Sequence, residues 1–350
     1  MKRNLSHARL LLAKKDPRKA AESARLVYVT SDTPGFIRKK KGRNFIYLSE
    51  KKMVTDQKHL DRIARLAIPP SWEDVWICRS PNGHIQATGL DLRHRKQYRY
   101  HPEWNALRNE TKFHHLYEFG KLLPGLRRRI KKDIRSKKLT QQKVVATAID
   151  LMEKTYIRVG NESYEKENGS YGLTTLKDQH VKFQPDKVVF SFNGKKGVRH
   201  TIALSNKKLA RIVKQCRDLP GKSLFQYYDE ENKKKAIDSA LLNSYIKEST
   251  GPEFSAKDIR TWAGSVQAIE YHLSNKPEGD DKSKPTTPAL LDWVSGKLGN
   301  SRTICKKYYI HPALIEMCEE EQALPELKSN GNGKGLTRSE QLLMCILKNK

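Results

Sequence analysis

Apolar positions change period along this chain. Residues 1–24 are charged, with a weak helical pattern and no clear core face, and read as a mobile basic arm. Strand-like segments follow. Val27–Asp32 is the first; Phe36-Ile37 and Phe45–Leu48 flank the turn-like Lys39-Lys40-Lys41-Gly42-Arg43, which predicts a basic hairpin. Leu60, Ile63, Ala64 and Ala67 recur at helical spacing within Asp56–Ala67, and Pro69-Pro70 stops that helix. Val75–Cys78, the turn Pro81-Asn82-Gly83 and Ile85–Thr88 predict a second hairpin, and Gln97–Tyr100 alternates as a strand.

From about Trp104 the period becomes helical. Phe113, Leu116, Tyr117, Gly120 and Leu123 predict one helix ending before Pro124, and a strongly basic stretch, Leu126–Ile134, follows. Val144, Val145, Ala148, Ile149, Met152 and Tyr156 predict a helix capped by Thr140 and ended by Gly160. Val188–Phe192 and Val198–Leu204 read as strands around the tip Asn193-Gly194-Lys195-Lys196-Gly197. Leu209–Leu219, Ala236–Glu248 and Lys257–Leu273 read as helices, the last opened by the capping-box pattern Ser255-Ala256-Lys257-Asp258. Ser274–Thr287 reads as a linker. Leu290–Leu298 and Ser301–Glu321 are helical, the second limited by Pro312, and a Gly/Asn stretch at 328–335 precedes a short last helix. The pattern predicts an α+β chain: a basic arm (1–24), a small β-rich domain (25–103), and a larger, mainly helical domain (104–350) carrying a β-hairpin.

Composition narrows the class. A chain of 350 residues with 37% apolar residues can build about two cores. No run approaches the ~18 apolar residues of a membrane helix, and Leu10–Ala13 is too short for a signal peptide. Five widely spaced cysteines (Cys78, Cys216, Cys305, Cys318, Cys345) form no CxxC pair, which argues against a zinc module or disulfide framework and fits a reducing compartment. Charge changes the picture most. Lys plus Arg is 68 against 39 acidic residues, a net of +29. Residues 1–138 hold 34 basic and 13 acidic residues, a net of +21, and residues 139–350 hold 34 and 26, a net of +8. A basic half joined to a nearly balanced half suits a polyanion, with nucleic acid the first candidate.

The usual signatures of nucleic-acid enzymes are missing. There is no GxxxxGK[ST] and no HExxH. Gly331-Asn332-Gly333-Lys334-Gly335 lacks the phosphate-loop spacing, and Gly279-Asp280-Asp281 lies among lysines and prolines, as a solvated linker does. Phosphodiester chemistry would then rest on side chains: a nucleophile, cations around the phosphate and a donor for the leaving oxygen. Tyrosine is a poor nucleophile at its free pKa of about 10, but neighbouring guanidinium groups favour its anion. Arginine does not readily give up a proton, so lysine is the better acid.

Local sequences supply that set through a resemblance. Thr155-Tyr156-Ile157-Arg158-Val159-Gly160-Asn161 resembles the first arginine box of the poxvirus-like and bacterial type IB DNA topoisomerases, with Gly172-Leu173-Thr174-Thr175-Leu176-Lys177 the stretch after it. Phe192-Asn193-Gly194-Lys195 is similar to the catalytic-lysine hairpin, and Lys257-Asp258-Ile259-Arg260-Thr261-Trp262 to the second arginine box. Leu298-Gly299-Asn300, followed by Lys306-Lys307-Tyr308-Tyr309-Ile310-His311-Pro312, resembles the nucleophile helix. Gly89–Asp91 with Arg95-Lys96-Gln97-Tyr98-Arg99-Tyr100 resembles the DNA-reading segment. The six boxes stand in order across residues 25–320.

The resemblance implies roles. Tyr309 would attack a backbone phosphate, leaving a 3′-phosphotyrosyl enzyme and a free 5′-hydroxyl. Arg158 and Arg260 would hold the nonbridging oxygens, Lys195 would protonate the leaving oxygen, and Lys257, one turn before Arg260, would assist. Asn300 stands where poxvirus and eukaryotic members carry histidine, so only a neutral hydrogen bond is open to it. Arg95, Lys96, Gln97, Tyr98, Tyr100 and Lys196 would contact DNA. Neither cofactor nor metal is implied; the partner is duplex DNA, held in the clamp of a monomer, and the setting is cytoplasmic, associated with the nucleoid if bacterial. Blander readings exist for each residue alone: Arg158 can answer a helix dipole, the two hairpin lysines can be solvated, Arg260 can pair with an acid, and Tyr308 stands beside Tyr309 until the family spacing from Gly299 selects the latter. Gln97 and Tyr100 cannot share a face of a regular strand, so joint contact needs a bend or bulge. Two other functions share the features: a site-specific tyrosine recombinase, which usually carries histidine at the position of Lys257, and a non-catalytic duplex-binding protein.

Overall fold

The computed structural model describes residues 16–275, 286–327 and 335–348. The first fifteen positions of the basic arm, the 276–285 part of the linker with Gly279-Asp280-Asp281, and most of the 328–335 stretch lie outside the described residues. The chain forms two compact units that divide between His115 and Leu116.

In the first unit, Asp16 caps a short helix, α1 (Pro17–Ser23), whose Ala20 and Ala21 pack with Leu26, Trp104 and Leu107. The end of the arm therefore does carry a core face, built from alanines too small to mark it in the pattern. The sheet that follows has six strands: β1 (Gly35–Lys41), β2 (Asn44–Ser49), β3 (Lys52–Met53), β4 (Glu73–Cys78), β5 (Ile85–Leu90) and β6 (Lys96–Tyr100), with α2 (Gln57–Arg65) between β3 and β4. Their order is β3-β2-β1-β4-β5-β6 and every pairing is antiparallel. Phe36, Val75, Ile77 and Ala87 from the sheet bury against Ile63 of α2, as period 2 on a strand facing period 3.6 on a helix requires. Both expected hairpins form. Val27–Asp32 does not become a strand: it makes a single bridge, Val27 with Gly83, then turns at Ser31 and Asp32, before Pro34, which has no amide to donate.

The division between the units falls inside α3 (Pro102–Ile134), which runs through Pro124 instead of ending there. Leu116, Phe119, Leu123, Leu126, Ile130 and Ile134 form one nearly fully buried stripe across the proline. A mid-helix proline costs about 3 kcal/mol, whereas burying a large apolar side chain stabilises by about 1.5–3 kcal/mol. Leu126, Ile130 and Ile134 together outweigh it. Beyond α3 come α4 (Gln141–Thr155), α5 (Glu162–Asn168), a three-stranded antiparallel sheet of β7 (Val181–Phe183), β8 (Val188–Asn193) and β9 (Arg199–Leu204), and α6 (Lys207–Arg217). A small hairpin, β10 (Gln226–Tyr228) with β11 (Lys234–Ala236), leads to α7 (Ser239–Thr250), α8 (Ala256–Ser274), α9 (Thr287–Leu298), α10 (Arg302–Tyr308), α11 (Pro312–Glu319) and α12 (Arg338–Lys348). The architecture is thus α+β, a β-rich region followed by a mainly helical one. No helix among the described residues is long and apolar enough to cross a membrane.

Thr140 caps α4, accepting from the Lys143 amide, and Ser255 opens α8 with Asp258 accepting from both its amide and its hydroxyl at 2.9 Å. The last helix is held by a buried ionic network. Arg127 donates to both carboxylate oxygens of Glu340 (2.7 and 2.9 Å) and to Glu153 (2.9 Å), and the Trp262 indole donates to Glu340 at 3.0 Å. Burial alone would push the Glu340 carboxyl up, but the Arg127 bonds and the Trp262 indole bring it below its ordinary value. One side chain thereby fastens α12 to α3 and α8. Removing one partner of such a network leaves buried charge unanswered, which costs about 3–5 kcal/mol. Glu340→Ala is expected to lower unfolding free energy by that amount in urea titrations; a loss below about 1 kcal/mol would mean that α12 is held by its apolar face alone.

Candidate active site

The segment bearing Arg158 is fixed by its neighbours. Helix α4 stops at Tyr156, in the left-handed region (φ 55°), four residues before the expected stop at Gly160. Early termination turns the next residues onto the Gly172–Lys177 stretch. Leu173 donates its amide to the Arg158 carbonyl (2.8 Å) and Thr174 its amide to the Val159 carbonyl (2.7 Å). Gly172 is required here, since a Cβ would sit 2.5 Å from the Gly160 nitrogen and 2.6 Å from the Arg158 oxygen. The Arg158 guanidinium donates to Oδ1 of Asn300.

Arg260 lies one turn into α8 and is 5% exposed. It donates to the Tyr156 carbonyl and, at 2.9 Å, to the Leu298 carbonyl, so it grips the ends of α4 and α9 together. No acid appears among these partners, which removes the ion-pair reading of this residue. Burial first, then the charge of Arg158, bring its pKa down to about 10, leaving a cation at neutral pH; Tyr309, whose ring centroid lies 5.5 Å from the guanidinium carbon, opposes the shift. The Nε of Arg260 and Nδ2 of Asn300 are buried without a hydrogen-bond partner among the described residues. Two such donors at one place are costly unless an acceptor arrives.

Tyr309 occupies a break in the expected 301–321 helix. α10 ends at Tyr308, Tyr309 is its C-cap, and α11 begins at Pro312, whose missing amide suits a first helical position. The break is seated on α8. A Cβ on Gly264 would fall 2.5 Å from the Tyr309 carbonyl oxygen, and the Ser265 hydroxyl accepts from the His311 amide (3.0 Å) while donating to that same carbonyl (3.3 Å). The Cys305 thiol beneath is buried and pushed up to about 11 in spite of the two arginines.

A cleft of about 1210 Å³ is lined by Arg158, Lys195, Lys196, His200, Asn300 and Tyr309, among others. Lys195 and Lys196 are exposed at the turn between β8 and β9. Arg260 lies behind the wall, and Lys257, exposed on α8, does not line the cleft. His200 was not singled out by sequence; the strand register, which sets it opposite Phe192, is the signal that finds it. The remaining candidates lie on or beside β6 in the first unit. Asp91 accepts from Arg95 (2.8 Å) and Gln97 (2.9 Å), and the Arg95 bond foremost holds its carboxyl at about 2. Lys96 donates to Ser31 at 2.9 Å. Lys96, Tyr98 and Tyr100 share the exposed face, the two tyrosine rings stacked 5.7 Å apart, with Gln97 on the other; the β5–β6 register shifts between Ile85 and Ala87. Among the described residues no group of His, Cys, Asp and Glu could hold a metal ion.

Residues 101–330 match the family model of the eukaryotic DNA topoisomerase I catalytic core, and residues 44–91 that of the bacterial DNA topoisomerase IB N-terminal domain. The chain is 32% identical over 293 residues to DNA topoisomerase 1B of Acanthamoeba polyphaga mimivirus, covering 81% of this chain and 87% of that one. It is 24% identical over 244 residues to DNA topoisomerase 1B of vaccinia virus (strain Copenhagen), 67% and 73% of the two chains. With DNA topoisomerase 1 alpha of Arabidopsis thaliana it shares 28% identity over 194 residues, 53% of this chain and 20% of that protein.

The seating of Tyr309 is testable without any substrate. Gly264→Ala should cost about 1–3 kcal/mol through overpacking and speed hydrogen exchange at the Tyr309 and Ile310 amides. Gly296→Ala, whose Cβ meets nothing, should leave that exchange unchanged. Equal behaviour of the two variants would dismiss Gly264 as the seat.

Proposed function

From the membership of this chain in the type IB DNA topoisomerase family, we propose that it relaxes supercoiled duplex DNA by transient cleavage of one strand, acting as a monomer with both units on the duplex. A cytoplasmic site of action, at the nucleoid in a bacterium, follows from that substrate. The observation that carries the reading is the convergence of Arg158, Lys195, Asn300 and Tyr309 on one cleft, with the cationic Arg260 behind it.

The Tyr309 hydroxyl oxygen attacks phosphorus and gives its proton to solvent water; the bond to the 5′-oxygen breaks, and Lys195 gives that oxygen a proton. The products are a 3′-phosphotyrosyl enzyme and a 5′-hydroxyl. Rotation about the intact strand releases superhelical strain, and the reverse reaction reseals the nick. Each step exchanges one phosphodiester for another, so ATP is not consumed and no metal is called for. Arg158 and Arg260 place positive charge where the phosphoryl oxygens become most negative, and little water screens the buried Arg260. Asn300, bonded to Arg158, has its Nδ2 left to donate, an uncharged bond that holds the phosphate without acid–base work. Lys257 points to an outer, assisting role, since it is exposed and off the cleft. Arg95, Lys96, Gln97, Tyr98, Tyr100 and Lys196 contact the duplex; the stacked Tyr98–Tyr100 pair offers flat apolar surface and Lys96 a phosphate contact.

Plasmid relaxation in chelator without ATP tests the reading. Wild type should relax a plasmid bearing no special site, and Tyr309→Phe should neither relax it nor yield a covalent adduct, with DNA affinity nearly unchanged. Adduct from Tyr309→Phe would move the nucleophile, with Tyr308 the first alternative. Lys195→Ala should slow cleavage by about 10²–10⁴-fold, the usual worth of a general acid. A bridging 5′-sulfur should restore it, because a thiolate leaves without a proton. Lys196→Ala should show neither the large loss nor the rescue.

A further inference from the structure

The ring of His200 fills a gap between two backbone segments of the cleft. It is stacked on Phe192 across the β8–β9 pair, 5.2 Å between centroids and 21° between planes. On one side it meets Gly194, where a Cβ would lie 2.6 Å from both Cδ2 and Nε2. On the other it meets Gly299, where a Cβ would collide with Cε1. Gly194 precedes Lys195, and Gly299 precedes Asn300. Each glycine thus leaves room for the same imidazole, and the imidazole fixes how closely the hairpin tip approaches the end of α9. Gly299 needs its φ of 58° as well; Gly194, at φ −89°, does not, so nothing but the ring asks for a glycine there.

The electrostatic setting favours an uncharged wedge. Burial, then the charges of Arg158 and Arg260, lower the basicity of His200, so the ring stays neutral beside two guanidinium groups. A lysine or arginine would add a third cation, and an acid would neutralise the field meant for the phosphate.

We propose that His200 is a positioning residue that sets the Lys195 turn against the Gly299-Asn300 corner, acting on the reaction through Lys195. This rests on Lys195 being the proton donor. Removing the ring lets the tip relax and moves the lysine ammonium away from the leaving oxygen, and a displacement of about 1 Å can cost about 10²-fold.

Cleavage of a duplex oligonucleotide is measured with the natural 5′-oxygen and with a bridging 5′-sulfur. His200→Ala should cleave the oxygen substrate about 10²-fold more slowly and the sulfur substrate at nearly the wild-type rate, which also shows that the variant is folded. Gly194→Ala, which pushes a methyl against the ring, should give the same sulfur-rescued defect, and the Gly194→Ala/His200→Ala double variant should be no slower than His200→Ala alone, because without the ring the added methyl has nothing to collide with. Lys195→Ala is the control. If sulfur rescues Lys195→Ala but neither His200→Ala nor Gly194→Ala, the positioning role is wrong and the reading of Lys195 stands. If sulfur fails to rescue Lys195→Ala, that reading fails, and the role of His200 with it. An undiminished rate for His200→Ala on the oxygen substrate also overturns the proposal.

Discussion

Two guanidinium groups, Arg158 and Arg260, stand close enough that the charge of Arg158 lowers the basicity of Arg260, and no carboxylate is among their hydrogen-bond partners in the described residues. That repulsion is the constraint to which the second unit is built. Their hydrogen bonds go to neutral acceptors: an amide oxygen and two backbone carbonyls. Neutral acceptors satisfy the donors yet leave the field uncancelled. A carboxylate would have cancelled that field. The folded chain carries the cost of one buried and one half-buried cation, a cost that an anion arriving in the cleft would offset.

Holding such a pair requires that the backbone not give way, and the elements around it stop where they must. Helix α4 ends on a left-handed Tyr156, freeing its carbonyl for Arg260. Helix α9 ends at Gly299, and its Leu298 carbonyl takes the other Arg260 bond. Helix α10 ends at Tyr308, so Tyr309 sits at a corner where Ser265 meets both the Tyr309 carbonyl and the His311 amide. Carbonyls at helix C-termini lack intrahelical partners and carry partial negative charge. A buried guanidinium is their natural complement, and Arg260 thereby serves as a structural staple between α4 and α9 as well as a source of field.

Much of this was legible in the sequence, and the failures have physical causes. The β-rich first part, the helical second part, the Thr140 and Ser255 caps and both hairpins of the first sheet followed from period and turn chemistry. The same rules misjudged Pro124, because local propensity is worth about 3 kcal/mol there while the buried stripe from Leu116 to Ile134 exceeds it. They missed α5, a short helix with no buried residue, because nothing apolar marks it. Gly160 looked like the end of α4, yet Tyr156 ends it and the residues after it bond to the Gly172 stretch, a contact with no local trace in the sequence. Arg158, Lys195, Asn300 and Tyr309 were named through motifs, and the cleft gathers them. His200 carried no motif. It is visible only once register sets it across from Phe192 and two glycines are seen to accommodate its ring.

The division of charge along the chain also bears on the chemistry. The surplus of the first 138 residues, +21, is separate in sequence from the cleft, whose lining carries its own cations, Lys154, Arg158, Lys195, Lys196, Arg199 and Lys297, and no acid. Long-range attraction to a polyanion depends on net charge and weakens with salt, because counterions are released on binding. Stabilising a phosphoryl group in transit depends on two or three cations held in a dry wall, where salt screens little. The two tasks call for different dielectric surroundings, so one patch of residues serves both poorly. In this chain the diffuse surplus is concentrated in the N-terminal part, and the confined pair is built into the ends of α4, α8 and α9. Under the proposed relaxation activity, substitutions among the surface lysines should therefore tune how DNA is captured, while substitutions at the helix ends should alter the strand-cleavage step itself.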